Sequence, residues 1–322
     1  MSVFKSGLSN ILQEFLDYEK AAGRCESSYL PRLRNLDSFC LTNYPDETEL
    51  SEDIVLEWAV RRKNESDVSF NMRCSFIRKL GRYLVSVGKN AYILSNKLCS
   101  SVSTFNPYIF SDDEIHGLFH CFDSMTDKDP FVPFIVSTAF RLVHTCGLRP
   151  NEVRHLKHKN VNLQNGEILI TETKGHRERI VVMSQDMLEL ARTYSFLLDT
   201  VYPDSEYFFP DPNGEAYSSE WFQKWLKKAF REVHSDIPEA ELPAVRVYDL
   251  RHRFASAVLM RWIDNGTELY SRLPYLQAFM GHKRLASTAY YIHLLPENLV
   301  RSSGIDWDVL KTIIPEVDLW ED

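Results

Sequence analysis

The fold of this chain is decided by the stretch Met280-Gly281-His282-Lys283-Arg284-Leu285-Ala286-Ser287-Thr288-Ala289-Tyr290-Tyr291-Ile292-His293. The pattern predicts a helix that ends at Gly281, because glycine tolerates the left-handed backbone conformation found just past many helix ends. A polar turn and a new helix with two tyrosines follow, and Tyr291 lies nine positions after His282. Taken alone, paired aromatic residues on a helix more often belong to a core than to a reactive site.

The composition is that of a globular protein with one large domain or two ordinary ones. The chain has 322 residues, of which 44% are hydrophobic and 25% charged. No apolar run is long enough to span a membrane, and the N-terminal residues lack the pattern of a signal peptide. The six cysteines are scattered and form no Cys-x-x-Cys motif. We therefore expect a cytoplasmic protein with reduced thiols and without a metal or cofactor.

The charge is unevenly distributed along the chain. Its net value of −8 argues against a nucleic-acid partner only where acidic and basic residues are evenly mixed. Acidic residues cluster between positions 46 and 57 and again near the C-terminus, whereas basic residues concentrate between positions 61 and 97. This segregation indicates a positive face with acidic edges, and ordinary solvated helix faces are the alternative explanation. The basic side chains expected to contact DNA are Arg73, Lys79 and Arg82.

Residues 1–98 predict a small, all-helical domain. Apolar residues at helical spacing form a first helix near the N-terminus and a second one that holds Pro31 in its first turn. Ser51 has the character of an N-cap for a third helix, and the acidic residues after it suit the positive end of the helix dipole. A fourth helix presents one apolar face, formed by Ile77, Leu80, Leu84 and Val87.

A domain boundary is predicted at residues 99–109, a polar segment of small residues without periodicity. Ser111 and Glu114 then form a capping-box pattern that opens a second domain, residues 110–303. An apolar helix in this domain ends at Gly147.

The rest of the second domain is mostly helical with one small sheet. Pro150 fits the first turn of the helix that follows Gly147. Residues 167–171 and 179–183 have the β-branched character of two strands, joined through a turn that contains Lys174. Further helices are expected at about 249–262 and 273–280. The tail, residues 304–322, carries an apolar stripe after a glycine, and it either folds back on its own domain or docks onto a neighbouring copy.

Three segments, in this order, resemble the active-site boxes of the tyrosine recombinases, the phage-integrase family. They are Gly147–Val153 with Arg149, Tyr248–His252 with Arg251, and Gly281–His293. The resemblance implies a helical, SAM-like core-binding domain followed by a catalytic domain that is mainly α with a small β-sheet. It covers the whole chain at the level of domains and is specific in these three segments.

The resemblance assigns chemical roles that suit the side chains. Breaking a phosphodiester without metal requires a nucleophile, cations around the phosphate and an acid for the leaving oxygen. Arg149 and Arg251 match the paired arginines that clamp the phosphate, and His282 matches a position that hydrogen-bonds it. Tyr291, rather than Tyr290, lies at the family spacing for the nucleophile.

Two further residues complete the predicted site. Lys174 matches a hairpin lysine that protonates the leaving 5′ oxygen as a general acid. Glu152 lies one helical turn after Arg149 and is expected to orient its guanidinium. Each residue also has a simpler explanation when taken singly: a solvated turn lysine, a surface Arg–Glu pair, and for His282 a role as a helix cap.

One residue departs from the family pattern. Tyr248 occupies the first position of the His-x-x-Arg motif, where the family commonly has histidine. A phenol donates a hydrogen bond to phosphate but is a weak base near neutral pH. Either Tyr248 serves by hydrogen bonding alone, which we favour, or His252 or Asp249 assists, or the activity is lowered.

The resemblance implies a site-specific DNA recombinase or integrase that cuts and rejoins strands through a 3′-phosphotyrosine, for integration or excision of a mobile element. Its partners would be duplex DNA with an inverted-repeat-like core site and either three further copies in a homotetramer or sister recombinases. We expect the simpler, two-domain type without an arm-binding domain, located at the bacterial nucleoid. The alternatives are a type IB topoisomerase-like enzyme, a catalytically weak DNA-binding partner, and a plain helical scaffold.

Overall fold

Two separate units make up the computed structural model, which describes residues 3–98, 107–171 and 178–295. One unit comprises residues 1–105 and the other residues 106–322. Most of the predicted linker and all of the tail lie outside the described residues, so the boundaries predicted at positions 98, 109 and 303 remain predictions.

The first unit is helical, and its helix starts are set by short polar side chains. The Oγ atom of Ser51 accepts a hydrogen bond from the Ile54 amide at 3.4 Å, and Ser66 accepts one from the Ser69 amide at 3.2 Å. Apolar residues of all four helices form one core. The helices are α1 (Ser9–Ala21), α2 (Glu26–Asn43), α3 (Glu52–Trp58) and α4 (Asp67–Ser86), followed by a 3₁₀ turn at Asn96–Leu98.

Two details of the first unit differ from the predictions. Pro31 lies inside α2 and not in its first turn, because the helix already begins at Glu26. Val87 is 49% exposed and does not belong to the apolar face of α4. The helix ends at Ser86, and the chain then turns away at Gly88 with a φ of +78°.

The second unit surrounds the apolar helix α6. This helix packs against α5, α8 and α10, and most of its side chains are buried. The predicted capping box is confirmed, since Ser111 and Glu114 bond each other's backbone amides. The helices are α5 (Asp112–Ser124), α6 (Val132–Thr145), α7 (Pro150–Arg154), α8 (Gln185–Val201), α9 (Ser219–Val233), α10 (Val247–Asp264), α11 (Leu269–Met280) and α12 (Leu285–Ala289), with 3₁₀ turns at His158–Asn160, Glu239–Glu241 and Tyr290–Leu294.

An antiparallel sheet covers part of this helical unit. Its strands β1 (Val161–Asn162), β2 (Glu167–Ile170) and β3 (Arg179–Val182) lie in sequence order. Leu169 pairs with Ile180, so the two predicted strands form the expected hairpin, and β1 adds a short third strand. Within the described ranges, no helix combines the length and apolarity that crossing a membrane demands.

Gly147 allows α10 to approach the end of α6 closely. Its φ is +58°, and a β-carbon built there would lie 2.4 Å from the ring of Phe254. The glycine therefore meets two requirements, a left-handed backbone and the absence of a side chain.

We expect Gly147→Ala to lower the free energy of unfolding by about 2–5 kcal/mol, the sum of a left-handed backbone and an overpacked contact. Gly214→Ala is the matched control, because Gly214 has a φ of +82° with no atom within 4 Å of the added carbon. Urea titration of both variants separates the two costs, and equal losses would contradict a role for the Phe254 contact.

Candidate active site

The C-terminal end of α11 forms one side of the site. Gly281 has a φ of +67° and a ψ of +41°, so the predicted helix end at this glycine is confirmed. The His282 amide then donates back to the Gln277 carbonyl at 3.0 Å. This tight reversal turns His282 inward, where it is buried.

Glu152 is shared by two arginines. Its Oε1 atom accepts from Nη1 of Arg149 and from Nη1 of Arg179, both at 2.9 Å, and its Oε2 accepts from Nη2 of Arg179 at 2.7 Å. Oε2 also accepts from the Arg149 amide at 2.9 Å. Burial opposes the charge of Glu152, but the bonds and charge of Arg179, with those of Arg149, lower its pKa to about 2.

The guanidinium of Arg149 also reaches the helix end. Its Nη2 atom donates to the Gly281 carbonyl at 2.9 Å. The side chain is thus fixed on one side by Glu152 and on the other by the backbone that precedes His282. Glu152 bonds the side chain that it is predicted to orient, and the orienting role itself stays a prediction.

Arg251 is completely buried, with 0% exposure. It donates through Nη1 to the Gly147 carbonyl and through Nη2 to the Met280 carbonyl, the latter at 2.6 Å. Burial lowers its pKa from the ordinary value. Arg251 lies in the second turn of α10, which begins at Val247 and not at about residue 249 as predicted. Its guanidinium reaches the site through the length of the side chain and not through a position at the start of the helix.

His282 bridges Arg251 and α12. Its Nε2 atom lies 3.0 Å from Nη2 of Arg251, and its Nδ1 atom lies 2.8 Å from Oγ1 of Thr288. An arginine only donates, so Nε2 must accept and the proton of the neutral ring must be on Nδ1, donated to Thr288. Burial, followed by the charges of Arg251 and Arg149, lowers the pKa of His282 to about 2.

Tyr291 stacks on this histidine. Its ring is nearly parallel to that of His282, with 5.9 Å between centroids and an angle of 16°. The side chain is 3% exposed, and burial raises the pKa of its phenol despite the opposing charge of Arg251. Tyr290 is only half-buried, and its ring centroid lies 6.2 Å from that of Tyr291, so the two tyrosines have different surroundings.

The two residues considered as assistants to Tyr248, His252 and Asp249, have different surroundings. The His252 ring lies between Tyr248 and Tyr291, with centroids 4.9 and 5.5 Å away. Burial lowers the pKa of His252 to about 3, which keeps it neutral near pH 7. Asp249 instead accepts from the Arg246 amide at 2.8 Å and thereby caps α10. Of the two assisting residues considered above, only His252 borders Tyr291.

The structure brings together most of the predicted site. The residues in one contact network are Arg149, Glu152, Tyr248, Arg251, His282 and Tyr291. Lys174 lies outside the described residues. Within the part of the chain that is described, no group of three His, Cys, Asp or Glu side chains is arranged to hold a metal ion.

The three basic residues predicted to contact DNA lie in the first unit and differ in their surroundings. Arg73 forms a fork on Glu65, with bonds of 2.8 and 2.6 Å, and its side chain is largely buried. Lys79 donates to the buried Glu19 at 2.7 Å and to a tyrosine hydroxyl. Arg82 is exposed. Arg73 and Lys79 therefore already form ion pairs within the helical unit.

Sequence reasoning missed two features of the second unit. Arg179 carried no local signal, because its partners are distant in sequence. The exposed side of α9 carries basic residues at helical spacing, opposite the buried tryptophan face, and this pattern was visible in the sequence. These residues are Lys224, Lys227, Lys228 and Arg231.

The depressed pKa of His282 predicts acid sensitivity. Its folded value of about 2 lies below the ordinary 6.5, so the unfolded chain binds a proton that the folded chain excludes as the pH falls through this window. Stability is therefore lost below pH 6.5. His282→Asn should reduce the loss between pH 7 and pH 5 by about 1–2 kcal/mol. Urea titrations at both pH values measure this, with the exposed His116→Asn as control; identical pH dependence in all three proteins would contradict the assignment.

Comparison with known proteins agrees with this arrangement. The phage integrase family model matches residues 113–298. A putative integrase/recombinase of Sinorhizobium fredii is 27% identical over 188 residues, which cover 58% of this chain and 59% of that protein. A probable integrase/recombinase protein of Methanocaldococcus jannaschii is 31% identical over 156 residues, 48% of this chain and 44% of that protein. The chain thus spans about half the length of these two relatives.

A solved structure shares the fold. The XerH site-specific recombinase, bound to a palindromic difH substrate in a post-cleavage complex, superimposes with a TM-score of 0.65 at 19% identity, covering 88% of this chain and 80% of that one. The predicted fold class, mainly α with a small sheet, is confirmed. Because the family match covers more than half of its length, the chain belongs to the phage integrase family, as its three sequence segments predicted.

Proposed function

We propose that this protein is a tyrosine-type DNA strand transferase. The hydroxyl of Tyr291 attacks a phosphodiester and displaces the 5′ oxygen, which leaves as a 5′ hydroxyl while a 3′-phosphotyrosine forms. The 5′ hydroxyl of another strand later attacks this phosphotyrosine and displaces the tyrosine. The observation that carries the proposal is the contact of Tyr291 with His282, whose ring is bonded to Arg251 beside Arg149. A nucleophile and two guanidiniums thus converge at one place.

The charge balance of the site favours a phosphate. Three guanidiniums, those of Arg149, Arg179 and Arg251, lie around the single carboxylate of Glu152. Arg251 is held by neutral backbone carbonyls, so an anion beside it would gain charge-assisted hydrogen bonds in a largely dry site. Preorganised donors of this kind stabilise the charge that develops at phosphorus in the transition state.

Proton transfer has to be supplied by the neighbours of Tyr291. Burial raises the pKa of its phenol, so the nucleophile is protonated near neutral pH until cations and an acceptor assist. We assign Tyr248 the role of a hydrogen-bond donor to the phosphate, with the neutral ring of His252 next to both tyrosines. Lys174 is proposed as the acid for the leaving oxygen on the resemblance alone.

The substrate must also reach a buried nucleophile. Tyr291 is 3% exposed and Arg251 is 0% exposed in the described arrangement. Strand cleavage therefore requires a rearrangement that exposes both side chains to the duplex, and DNA binding energy is available to drive it.

We assign the duplex contact in the second unit to the basic side of α9. Its exposed cations have the spacing of one helix face, which suits a row of phosphates. The helix is joined to the active site through Gln223, which donates to the Val245 carbonyl at 2.7 Å and accepts from the Val247 amide at 3.3 Å. Val247 begins α10, the helix of Tyr248 and Arg251. In the first unit, the exposed Arg82 is the stronger candidate for a DNA contact than Arg73 or Lys79.

The biological reaction that we propose is integration or excision of a mobile element at an inverted-repeat-like core site. The similarity to integrase/recombinase proteins and to a recombinase solved on a palindromic substrate supports it. Pairing of two sites calls for a tetramer of this chain or an assembly with sister recombinases at the nucleoid. The predicted exchange of the tail, residues 304–322, lies outside the described residues.

Tyr291→Phe should abolish the covalent protein–DNA adduct on a nicked suicide substrate and leave DNA affinity within about twofold, since only the attacking hydroxyl is removed. Denaturing gels measure the adduct and gel shifts measure the affinity. Tyr290→Phe is the matched control and should retain the adduct. An adduct that survives in Tyr291→Phe would sink the proposal. Efficient relaxation of supercoiled plasmid without strand exchange would instead indicate the topoisomerase alternative.

Lys224→Gln and Lys227→Gln should each reduce the slope of log affinity against log salt by about 1, because each removes one phosphate contact and its released counterion. Lys128→Gln, an exposed lysine between α5 and α6, is the control and should leave the slope unchanged. Fluorescence anisotropy with duplex DNA at several salt concentrations gives the slopes; unchanged slopes in the α9 variants would place the duplex elsewhere.

A further inference from the structure

Arg179 is hydrogen-bonded to two parts of the site, the Glu152 carboxylate and the last turn of α11, although it was not among the predicted site residues. It opens β3, and its side chain is 8% exposed. Nη1 and Nη2 form a fork on the two oxygens of Glu152, and Nε donates to the Phe279 carbonyl at 2.9 Å. One guanidinium thus joins the carboxylate that holds Arg149 to the last turn of the helix that presents His282.

The fork restricts Glu152 to one orientation. Two parallel bonds to a planar guanidinium fix both oxygens of a carboxylate, which a single bond does not. Glu152 in turn accepts from the amide and from Nη1 of Arg149, so the position of the Arg149 guanidinium depends on the carboxylate. Each terminal nitrogen of the Arg149 guanidinium carries a second N–H, which can donate a hydrogen bond to a phosphate oxygen.

The helix end is held by the same side chain. A β-carbon at Gly281 would lie 2.9 Å from Nη1 and 3.1 Å from Cδ of Arg179, so the arginine packs directly on the reversal that places His282. Arg149 donates to the carbonyl of the same glycine at 2.9 Å. Both arginines therefore contact Gly281, the residue that caps the end of α11.

We propose that Arg179 is a positioning residue for strand cleavage, which orients the Arg149 guanidinium through Glu152 and fixes the helix end before His282. This inference rests on the proposed function. Arg179 acts through Glu152 and contacts no reacting atom, so its loss should slow cleavage and leave binding of the DNA site intact. A displacement of about 1 Å in a catalytic group costs about 100-fold in rate.

The test compares Arg179→Lys, Glu152→Gln and the double variant. Lysine keeps the positive charge but cannot form the fork. Arg192→Lys is the control, because Arg192, like Arg179, donates to the backbone of the same unit, here to the carbonyls of Leu163 and Gln164, but forms no bond to Glu152. Single-turnover cleavage of a suicide substrate at saturating protein gives the rate, gel shifts give the affinity, and thermal melting reports folding.

We expect each single variant to cleave about 100-fold more slowly with affinity unchanged, and the double variant to be no slower than the worse single one. Independent contributions would multiply to about 10⁴-fold and would overturn the proposal. Wild-type cleavage by Arg179→Lys would also overturn it. If Arg179→Lys fails to fold, Glu152→Gln still decides, because undiminished cleavage by that variant removes the link. A wild-type protein that forms no adduct at all would overturn the proposed function itself.

Discussion

The buried guanidinium of Arg251 is the interaction on which the second unit depends. A charge removed from water costs several kcal/mol unless hydrogen bonds compensate for the loss. Here the compensation comes from the carbonyls of Gly147 and Met280, which lie at the C-terminal ends of α6 and α11. Helix C-termini carry partial negative charge, so these carbonyls suit a cation. Three helices, α6, α10 and α11, are consequently tied together at the point where the chemistry is proposed.

Among the described residues, the site around Arg251 contains one negatively charged side chain, that of Glu152, and several positively charged ones. Glu152 neutralises part of the charge of Arg149 and Arg179, while Arg251 is left with neutral acceptors. The same excess of positive charge, which lowers the stability of the folded protein, would attract the phosphate of the proposed substrate. The same side chains therefore lower the stability of the fold and favour the proposed function, a trade-off that is common at reactive sites.

The local parts of this site could be predicted from sequence, and its tertiary parts could not. Gly281 ends a helix because of its own backbone freedom, and the pairing of Arg149 with Glu152 follows from one helical turn. Arg179 escaped prediction because its partners, Glu152 and Phe279, are 27 and 100 residues away. The same limit applies to the first unit, where Lys79 meets Glu19 across 60 residues and its charge is used internally. The start of α10 was predicted about two residues too late, because Asp249 was taken as the beginning of the helix whereas it caps the helix from within the first turn.

The bond between Arg251 and His282 has a consequence for the proposed binding of a phosphate. Its Nε2 atom occupies an acceptor position beside the buried guanidinium. A phosphate oxygen bound at Arg251 would compete with this nitrogen for the same donor, and displacement of the nitrogen would release the ring. The released imidazole would then be able to carry its proton on Nε2 and donate in its turn. In the described arrangement His282 thus accepts a bond from the buried guanidinium, and on the proposed function the tautomer of its ring would depend on whether a phosphate is bound.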